Sequence, residues 1–283
     1  MRDDFAIFIL THGRADHVIT YNAVKKSGYT GKLYFLIDNE DSTADEYYSR
    51  YGDKVVMFDK KEIAKRIDAG DNRDERTAIL YARNACFEVA KDLGLKYFLQ
   101  LDDDFTDFMW RYIEGRKLKH AYPTDLDAVF EAMCEFLEVS GAQTVAFAQG
   151  GDFIGGKENQ ATKKGLLRKA MNTFFCATDR PVRFKGRMNE DVTAYTLLAS
   201  QGEIFFTVPQ MMVNQVATQA GEGGMSEVYM DSGTYVKSFY SVMYCPSCVK
   251  VALMGDKHKR IHHRVNWAYA VPKILDESWK KVQ

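Results

Sequence analysis

Three consecutive carboxylates, Asp102-Asp103-Asp104, follow the apolar run Tyr97–Leu101. Carboxylates placed this close repel one another, and a divalent cation offsets the repulsion. Mg2+ and Mn2+ prefer oxygen ligands and commonly take one or two carboxylates together with substrate phosphates. In a partly extended turn the alternate residues Asp102 and Asp104 address one centre. The other reading is a solvated acidic turn, with Asp104 capping a helix through Trp110. A second acidic pair, Glu190-Asp191, follows a basic stretch and opens a helix. There a carboxylate either complements the helix dipole, worth about 0.3–1 kcal/mol, or acts as a general base toward an attacking hydroxyl. His258, His262 and His263 gather within Lys257–Arg264, a basic patch able to bind phosphates. Alternation along a strand sends His262 and His263 to opposite faces, so one of them points into any site. Cys245 and Cys248 form a CxxC with no second pair to complete a zinc site, and they read as structural.

These side chains need a frame, and the first hundred residues alternate strand and helix. Phe5–Leu10 is a continuous apolar run, as in strands buried on both faces of a parallel sheet. It ends in the polar turn Thr11-His12-Gly13-Arg14, and a helix over Asp16–Ser27 closes at Gly28. Lys32–Ile37 is a second strand ending at Asp38-Asn39-Glu40-Asp41, and Val55–Phe58 is a third. Over Arg76–Leu93 the residues Ile79, Ala82, Ala85, Cys86, Val89, Ala90 and Leu93 recur at helical spacing until Gly94. Tyr97–Leu101 is the fourth strand. The pattern predicts an α/β fold with a mostly parallel central sheet flanked by helices. Ligands of such open sheets bind beyond the carboxyl ends of the strands. The turns Thr11–Arg14, Asp38–Asp41 and Asp102–Asp104 all stand there. Further on, Thr124 with Asp127 suggests a capped helix through Val139, and Thr144–Ala148, Thr173–Ala177 and Ile204–Val208 read as strands. Gly150–Gly165 and Gln219–Ser226 read as loops, the first of them mobile.

Composition narrows the class. With 46% hydrophobic and 13% aromatic residues, the 283-residue chain has ample material for a core, which excludes disorder for most of it. No apolar run approaches the ~20 residues a bilayer needs, so no membrane partner is expected. Five thinly spread cysteines suit a reducing cytoplasm better than a disulfide framework. No repeat or Pro-rich linker divides the chain, and a single domain is expected.

The order of these elements resembles the GT-A class of nucleotide-sugar glycosyltransferases. The likeness rests on Phe5–Arg14, Ile37-Asp38, Ala82-Arg83-Asn84, Tyr97–Asp104 and Asn189-Glu190-Asp191. It implies that the acidic triplet is a DxD motif, Asp102 and Asp104 holding Mn2+ or Mg2+ against the diphosphate of a UDP-sugar. It implies a nucleotide-sugar pocket lined by Thr11, Arg14, Asp38, Arg83 and Asp103 within residues 1–110. Residues 111–283 would then form the acceptor half. In inverting members an acidic residue of an xED element is the base, which makes Asp191 the first choice and Glu190 the second. A C-terminal histidine serves some members as a further metal ligand, here His262 or His263. Arg83 lies on an amphipathic helix, where solvation is the plainer fate.

The acceptor is suggested by charge and by a narrower likeness. Between Lys157 and Arg187 nine Lys or Arg stand against two acids, an arrangement suited to a phosphate backbone or simply to a solvated basic face. The segment from Arg260 through His262, His263 and Trp267 to Leu275, with Thr11–Arg14 and the triple Asp, is similar to the TET-associated glycosyltransferases of bacteriophages. That likeness implies transfer of a hexose or a pentose such as arabinose to 5-hydroxymethylcytosine in DNA, in the host cytoplasm, with no protein partner implied. The rival readings are a glycosyltransferase for a glycan, lipid or protein, a nucleotidyltransferase, and a DNA-binding module without catalysis. Against the nucleotidyltransferase, the turn after Phe5–Leu10 offers one glycine, Gly13, and no Gly-rich phosphate cradle.

Overall fold

Six apolar residues in a row leave strand β1 (Phe5–Leu10) no solvent face, and every one of them is buried. In the computed structural model, which describes residues 1–74, 76–165, 167–216, 236–254, 260–272, 274 and 277, β1 lies between two parallel neighbours. These are β2 (Lys32–Asp38) and β4 (Tyr97–Asp102), and β3 (Val55–Phe58) extends β2 in the same sense. Helices α1 (Ile19–Lys26), α2 (Ala44–Tyr51), α3 (Lys60–Ala64) and α4 (Leu80–Asp92) fill the connections. Alternate residues of β1 divide the core. Phe5, Ile7 and Ile9 pack with α1 and α5 (Leu126–Ser140), whereas Ala6, Phe8 and Leu10 pack with α4 and α7 (Glu190–Ser200).

Beyond β4 the sheet becomes mixed. Its order is β3-β2-β1-β4-β8-β7-β9-β5-β6, adding β5 (Phe105–Glu114), β6 (Lys117–Ala121), β7 (Thr144–Gln149), β8 (Thr173–Ala177) and β9 (Phe205–Gln215). The parallel character expected from sequence holds from β3 to β4 and again between β7 and β9, and the remaining pairings are antiparallel. Strand–helix alternation stops at β4, so the rule that generates parallel neighbours stops with it.

Only Asp103 and Asp104 separate β4 from β5, yet β8, β7 and β9 lie between those strands in the sheet. Three Cα steps reach about 11 Å at most, while four flat interstrand spacings would need about 19 Å. The sheet therefore curls back on itself at the acidic turn. Its bends are visible as register shifts between Phe105 and Asp107 and between Phe147 and Ala148. At the second shift the β9 partner jumps from Val208 to Met212, and Pro209, which has no N–H to give a ladder, falls in the skipped stretch.

Several local expectations are corrected. Asp104 caps no helix, because the chain continues into strand β5. The helix expected from Thr124 is capped by Asp125, whose side chain accepts from Ala128 N–H. Gly150–Gly165 is not a plain loop: it forms short 3-10 turns and helix α6 (Gln160–Lys164), held by a Gln149–Asp152 capping box and a Lys169–Asp152 ion pair. Gln219–Ser226 and His258 lie outside the described residues. A helix α8 (236–244) leads to a separate antiparallel hairpin, β10 (Val249–Met254) and β11 (Arg260–Val265), and then to α9 (Trp267–Ala270). Cys245 and Cys248 are free and buried, packed with Val249 and Ala270, as the structural reading requires. Among the described residues no helix is long and apolar enough to cross a membrane.

Gly28, which closes α1, has a φ of +86°, and a Cβ there would sit 2.0 Å from the Thr124 carbonyl oxygen. Both the backbone conformation and the close approach demand glycine. Gly28→Ala should lower stability by about 2–3 kcal/mol, read as a shifted urea midpoint with an unchanged slope.

Candidate active site at the carboxyl ends of the strands

Thr11, Arg14, Asp38, Arg83, the acidic triplet Asp102–Asp104, Glu190, Asp191, His262 and His263 line a single cavity of about 510 Å3. It opens where β1, β2 and β4 end and α7 begins. Thr20, fully buried in α1, fastens the acidic turn. Its Oγ1 donates to the Asp102 carbonyl (2.6 Å) and accepts from Phe105 N–H (2.8 Å), and its N–H donates to the Asp103 carbonyl (3.1 Å). From the other side, Val216 N–H donates to the Asp104 carbonyl at 3.1 Å.

The three carboxylates meet different fates. Asp102 accepts from Arg83 Nη2 at 2.9 Å. Asp103 accepts from Thr11 Oγ1 at 2.8 Å and from Arg14 Nη1 at 3.3 Å, so it ties the β4 turn to the β1 turn. Oδ1 of Asp104 is buried with no hydrogen-bond partner among the described residues. Burial pushes Asp102 up to about 7, with Arg83 opposing and Asp104 and Glu190 adding to the rise. Burial and then Asp103 push Asp104 up to about 6. These are groups that resist ionising together without a cation nearby.

Of the two readings of Arg83, a pocket residue or a solvated helix arginine, the second does not hold: the residue is 1% exposed. Besides Asp102, its Nε donates to Glu190 Oε1 at 2.8 Å, and its guanidinium lies 4.9 Å from the Phe174 ring centroid. It thereby joins α4, β4 and α7. At the start of α7, Asn189 holds a left-handed backbone (φ +54°) and donates to the Lys237 carbonyl. Asp191 accepts from its neighbour Val192 N–H at 2.7 Å and forms no ion pair among the described residues. Burial and then Glu190 push its carboxyl up to about 6.

His262 and His263 both line the cavity, their rings 4.1 Å apart, where alternation expects one. A two-stranded ribbon twists strongly, which lets neighbouring rings reach one side. His263 Nδ1 lies 3.2 Å from Asn189 Nδ2. Asp38 is engaged by His12 Nδ1 at 2.8 Å, by Lys60 Nζ at 3.2 Å and by Glu40 N–H at 3.0 Å. Gly13 N–H donates to Asp41 Oδ2 at 2.8 Å, so the turns after β1 and β2 form one unit, and Tyr47 OH of α2 bridges Thr11 Oγ1 and the Arg14 N–H.

Sequence reasoning missed several lining residues. Lys60 is near Asp38 only in space. Asn172, also left-handed (φ +57°), donates to Gln215 Oε1 at 3.0 Å. Left-handed non-glycine residues are uncommon and collect at functional sites, but nothing in the sequence marks which Asn adopts that state. Arg187 is held by Asp71, which also accepts from Tyr240 OH of α8. Against the cost of burial, these bonds hold the Asp71 carboxyl down to about 2.

Among the described residues no three His, Cys, Asp or Glu side chains converge tightly enough to hold a metal unaided. The donor set nonetheless fits a hard cation that takes its remaining ligands from water and phosphate: crowded carboxylates, with the buried Asp104 Oδ1 lacking a partner.

Comparison with known proteins gives the family. No curated protein sequence matches the chain significantly. Distant likeness extends to a crystal structure of a mycobacterial protein, with TM-score 0.49 and 9% identity over 93% of this chain and 84% of that one. It also extends to glucosyl-3-phosphoglycerate synthase from Mycobacterium tuberculosis, solved with Mn2+, UDP and phosphoglyceric acid (TM-score 0.47, 8% identity, covering 93% and 87%). A second structure of that synthase, with Mn2+, UDP and glucosyl-3-phosphoglycerate, gives TM-score 0.46 and 8% identity over 93% and 88%. A model of the TET-associated glycosyltransferases matches residues 5–224. With more than three quarters of its length inside that match, this chain belongs to the TET-associated glycosyltransferase family.

Proposed function

We propose that the enzyme is a metal-dependent glycosyltransferase of GT-A type that moves a sugar from a UDP-sugar to the hydroxymethyl oxygen of 5-hydroxymethylcytosine in bacteriophage DNA. The observation that carries the reading is the meeting of Asp102, Asp104 and Asp191 on one cavity with the turns of β1 and β2. Asp102 and Asp104 would hold Mn2+ or Mg2+, with His262 or His263 as a candidate further ligand. When bound, the cation supplies positive charge to the departing diphosphate. Thr11 and Arg14 would line the nucleotide end, and Asp38, set by His12 and Lys60, would face the nucleoside. Arg83 and Asp103 serve that pocket indirectly, as the fastenings of Asp102 and of the Thr11–Arg14 turn.

In direct displacement the acceptor oxygen forms a bond to the anomeric carbon as the bond from that carbon to the diphosphate oxygen breaks. The hydroxyl proton passes to a carboxylate. Glu190 is committed to Arg83, whereas Asp191 keeps its charge free of any ion pair among the described residues. Asp191 is therefore the base in this reading and Glu190 the positioning group.

Nucleoside mass spectrometry tests the whole reading: the protein is incubated with Mn2+, a panel of UDP-sugars and DNA containing 5-hydroxymethylcytosine. The expected product is a nucleoside heavier by one hexosyl or pentosyl residue. UDP released without any mass gain moves the acceptor to a glycan, lipid or protein, and release of sugar 1-phosphate, the product left when a nucleotidyl group is taken from a UDP-sugar, instead marks a nucleotidyltransferase. Asp104→Ala should abolish metal-dependent turnover while the thermal transition persists, and full activity there removes the metal assignment. Asp191→Asn should cut transfer by about 10²–10⁴-fold with donor binding nearly unchanged, as calorimetry with UDP would show.

A pH dependence follows from the nucleoside end. The Asp38 hydrogen bond raises the His12 pKa above 6.5. A raised folded value gives stability that is complete below about 6.5 and is lost as pH rises through the folded value. The stability difference between wild type and His12→Gln should therefore be larger at pH 6 than at pH 9. Urea titrations at both pH values measure it, and a constant difference would show that no charged His12–Asp38 pair forms.

A further inference from the structure

The far end of the sheet carries a feature that this chemistry does not use. β5 and β6 form a hairpin closed by Gly115-Arg116, where the φ of Gly115 is +58° and Glu114 stands opposite Lys117. β6 is an edge strand. From Trp110 to Tyr122 the chain places Arg111, Arg116, Lys117 and Lys119 against one acid, Glu114, in a protein whose net charge is −1. Lys119 meets Glu114, while Arg111, Arg116 and Lys117 form no ion pair among the described residues. Arg111 lies over the Phe153 ring, 4.8 Å from its centroid, with its buried Nε lacking an acceptor among the described residues.

Aromatic rings are interleaved with this charge. Trp110, Tyr112 and Tyr122 are 38%, 44% and 57% exposed. The pairing sets Trp110 opposite Ala121 and Tyr112 opposite Lys119, so one face of the ribbon presents the rings of β5 beside Lys117 and Lys119 of β6. Beyond the end of β6, Lys26 at the end of α1 has its Nζ 5.9 Å from the Tyr122 ring centroid. Lysines on an open edge guard it against stray strand pairing. Exposed rings beside them work against that purpose, so edge protection does not account for the face. Cations that follow a phosphate backbone, with flat rings available to bases and sugars, are what nucleic-acid binding requires.

We propose that the β5–β6 ribbon is a docking surface for the acceptor DNA, contacting phosphates through Arg116, Lys117 and Lys119 and bases or sugars through Trp110 and Tyr112. The inference rests on the DNA-acceptor reading above. β5 starts beside Asp104 and runs for ten residues, about 33 Å at ~3.3 Å per residue, close to one turn of duplex. The ribbon thus meets the duplex from about half a helical turn, at Trp110, to about one turn, at the hairpin end, away from the acidic turn.

The test is fluorescence anisotropy with a labelled duplex containing 5-hydroxymethylcytosine, across a series of salt concentrations. The proteins compared are wild type, Lys117→Glu/Lys119→Glu and Trp110→Ala/Tyr112→Ala. Slow UDP release without acceptor reports on fold and donor site in each. The lysine variant should bind DNA at least about 10-fold more weakly, with a salt slope smaller by about 2, while UDP release is retained. If wild type modifies DNA and both variants bind it as tightly, the ribbon is not the docking surface and the acceptor reading stands. If wild type neither binds nor modifies DNA, both fall. Unchanged DNA affinity with an altered sedimentation coefficient would make the ribbon a contact between copies and overturn the proposal.

Discussion

The site depends on one buried cation. Arg83 sits at 1% exposure between Asp102 and Glu190, and without it the cavity would concentrate acidic groups with no internal positive charge beside Asp102. Burying a guanidinium is costly, and removing one partner of such a group typically costs about 3–5 kcal/mol because a charge is left uncompensated. The arrangement is therefore cooperative. Arg83 needs both carboxylates to be tolerated inside the core, and Asp102 needs Arg83 to approach its ionised form. The same contact fixes α7 against β4, which sets where Asp191 stands.

The second constraint is the curl of the sheet. A two-residue link between β4 and β5 forces strands that are distant in sheet order to share a corner, and that corner is the acidic turn. A turn held from α1 by Thr20 and from the end of β9 by Val216 has little freedom to close on itself. Its carboxylates consequently stay turned toward the cavity despite their mutual repulsion. The skipped stretch around Pro209 is where the geometry of the sheet yields to make this possible.

How much of this was legible in the sequence follows from what each signal reports. Continuous apolar runs gave β1 to β4 to within a residue, and helical spacing gave α4 with its carboxyl end right but its start four residues too early, at Arg76 where the helix begins at Leu80. The residues of the acidic turn, of α7 and of β11 were visible as types, and the structure brings them to one cavity. Strands β5 and β6 were not visible, since a half-exposed ribbon mixes Trp110, Arg111, Tyr112 and Lys117 without clean alternation. Arg83 shows the limit most clearly. Its helix position is consistent with solvation, and what decides its burial is the pair Asp102 and Glu190, separated from it by 19 and 107 positions. Lys60 and Asn172 were missed for the same reason: their roles arise from long-range contacts and from a backbone state, neither of which leaves a local pattern.

If the acceptor is DNA, as proposed above, the distribution of charge also separates two electrostatic tasks that would conflict if they shared one surface. A polyanionic acceptor is repelled by a cluster of carboxylates, yet the chemistry proposed for that cluster needs its negative charge to hold a cation. Placing unpaired arginine and lysine on the β5–β6 ribbon moves the attraction for phosphates away from the cavity, beyond the screening length of about 8 Å at physiological salt. The cavity can then keep Asp104 and Asp191 acidic while meeting a neutral hydroxyl. Uncharged groups such as the Asn172–Gln215 pair suit that part of the wall, because a hydroxyl asks for hydrogen bonds and not for counter-charge.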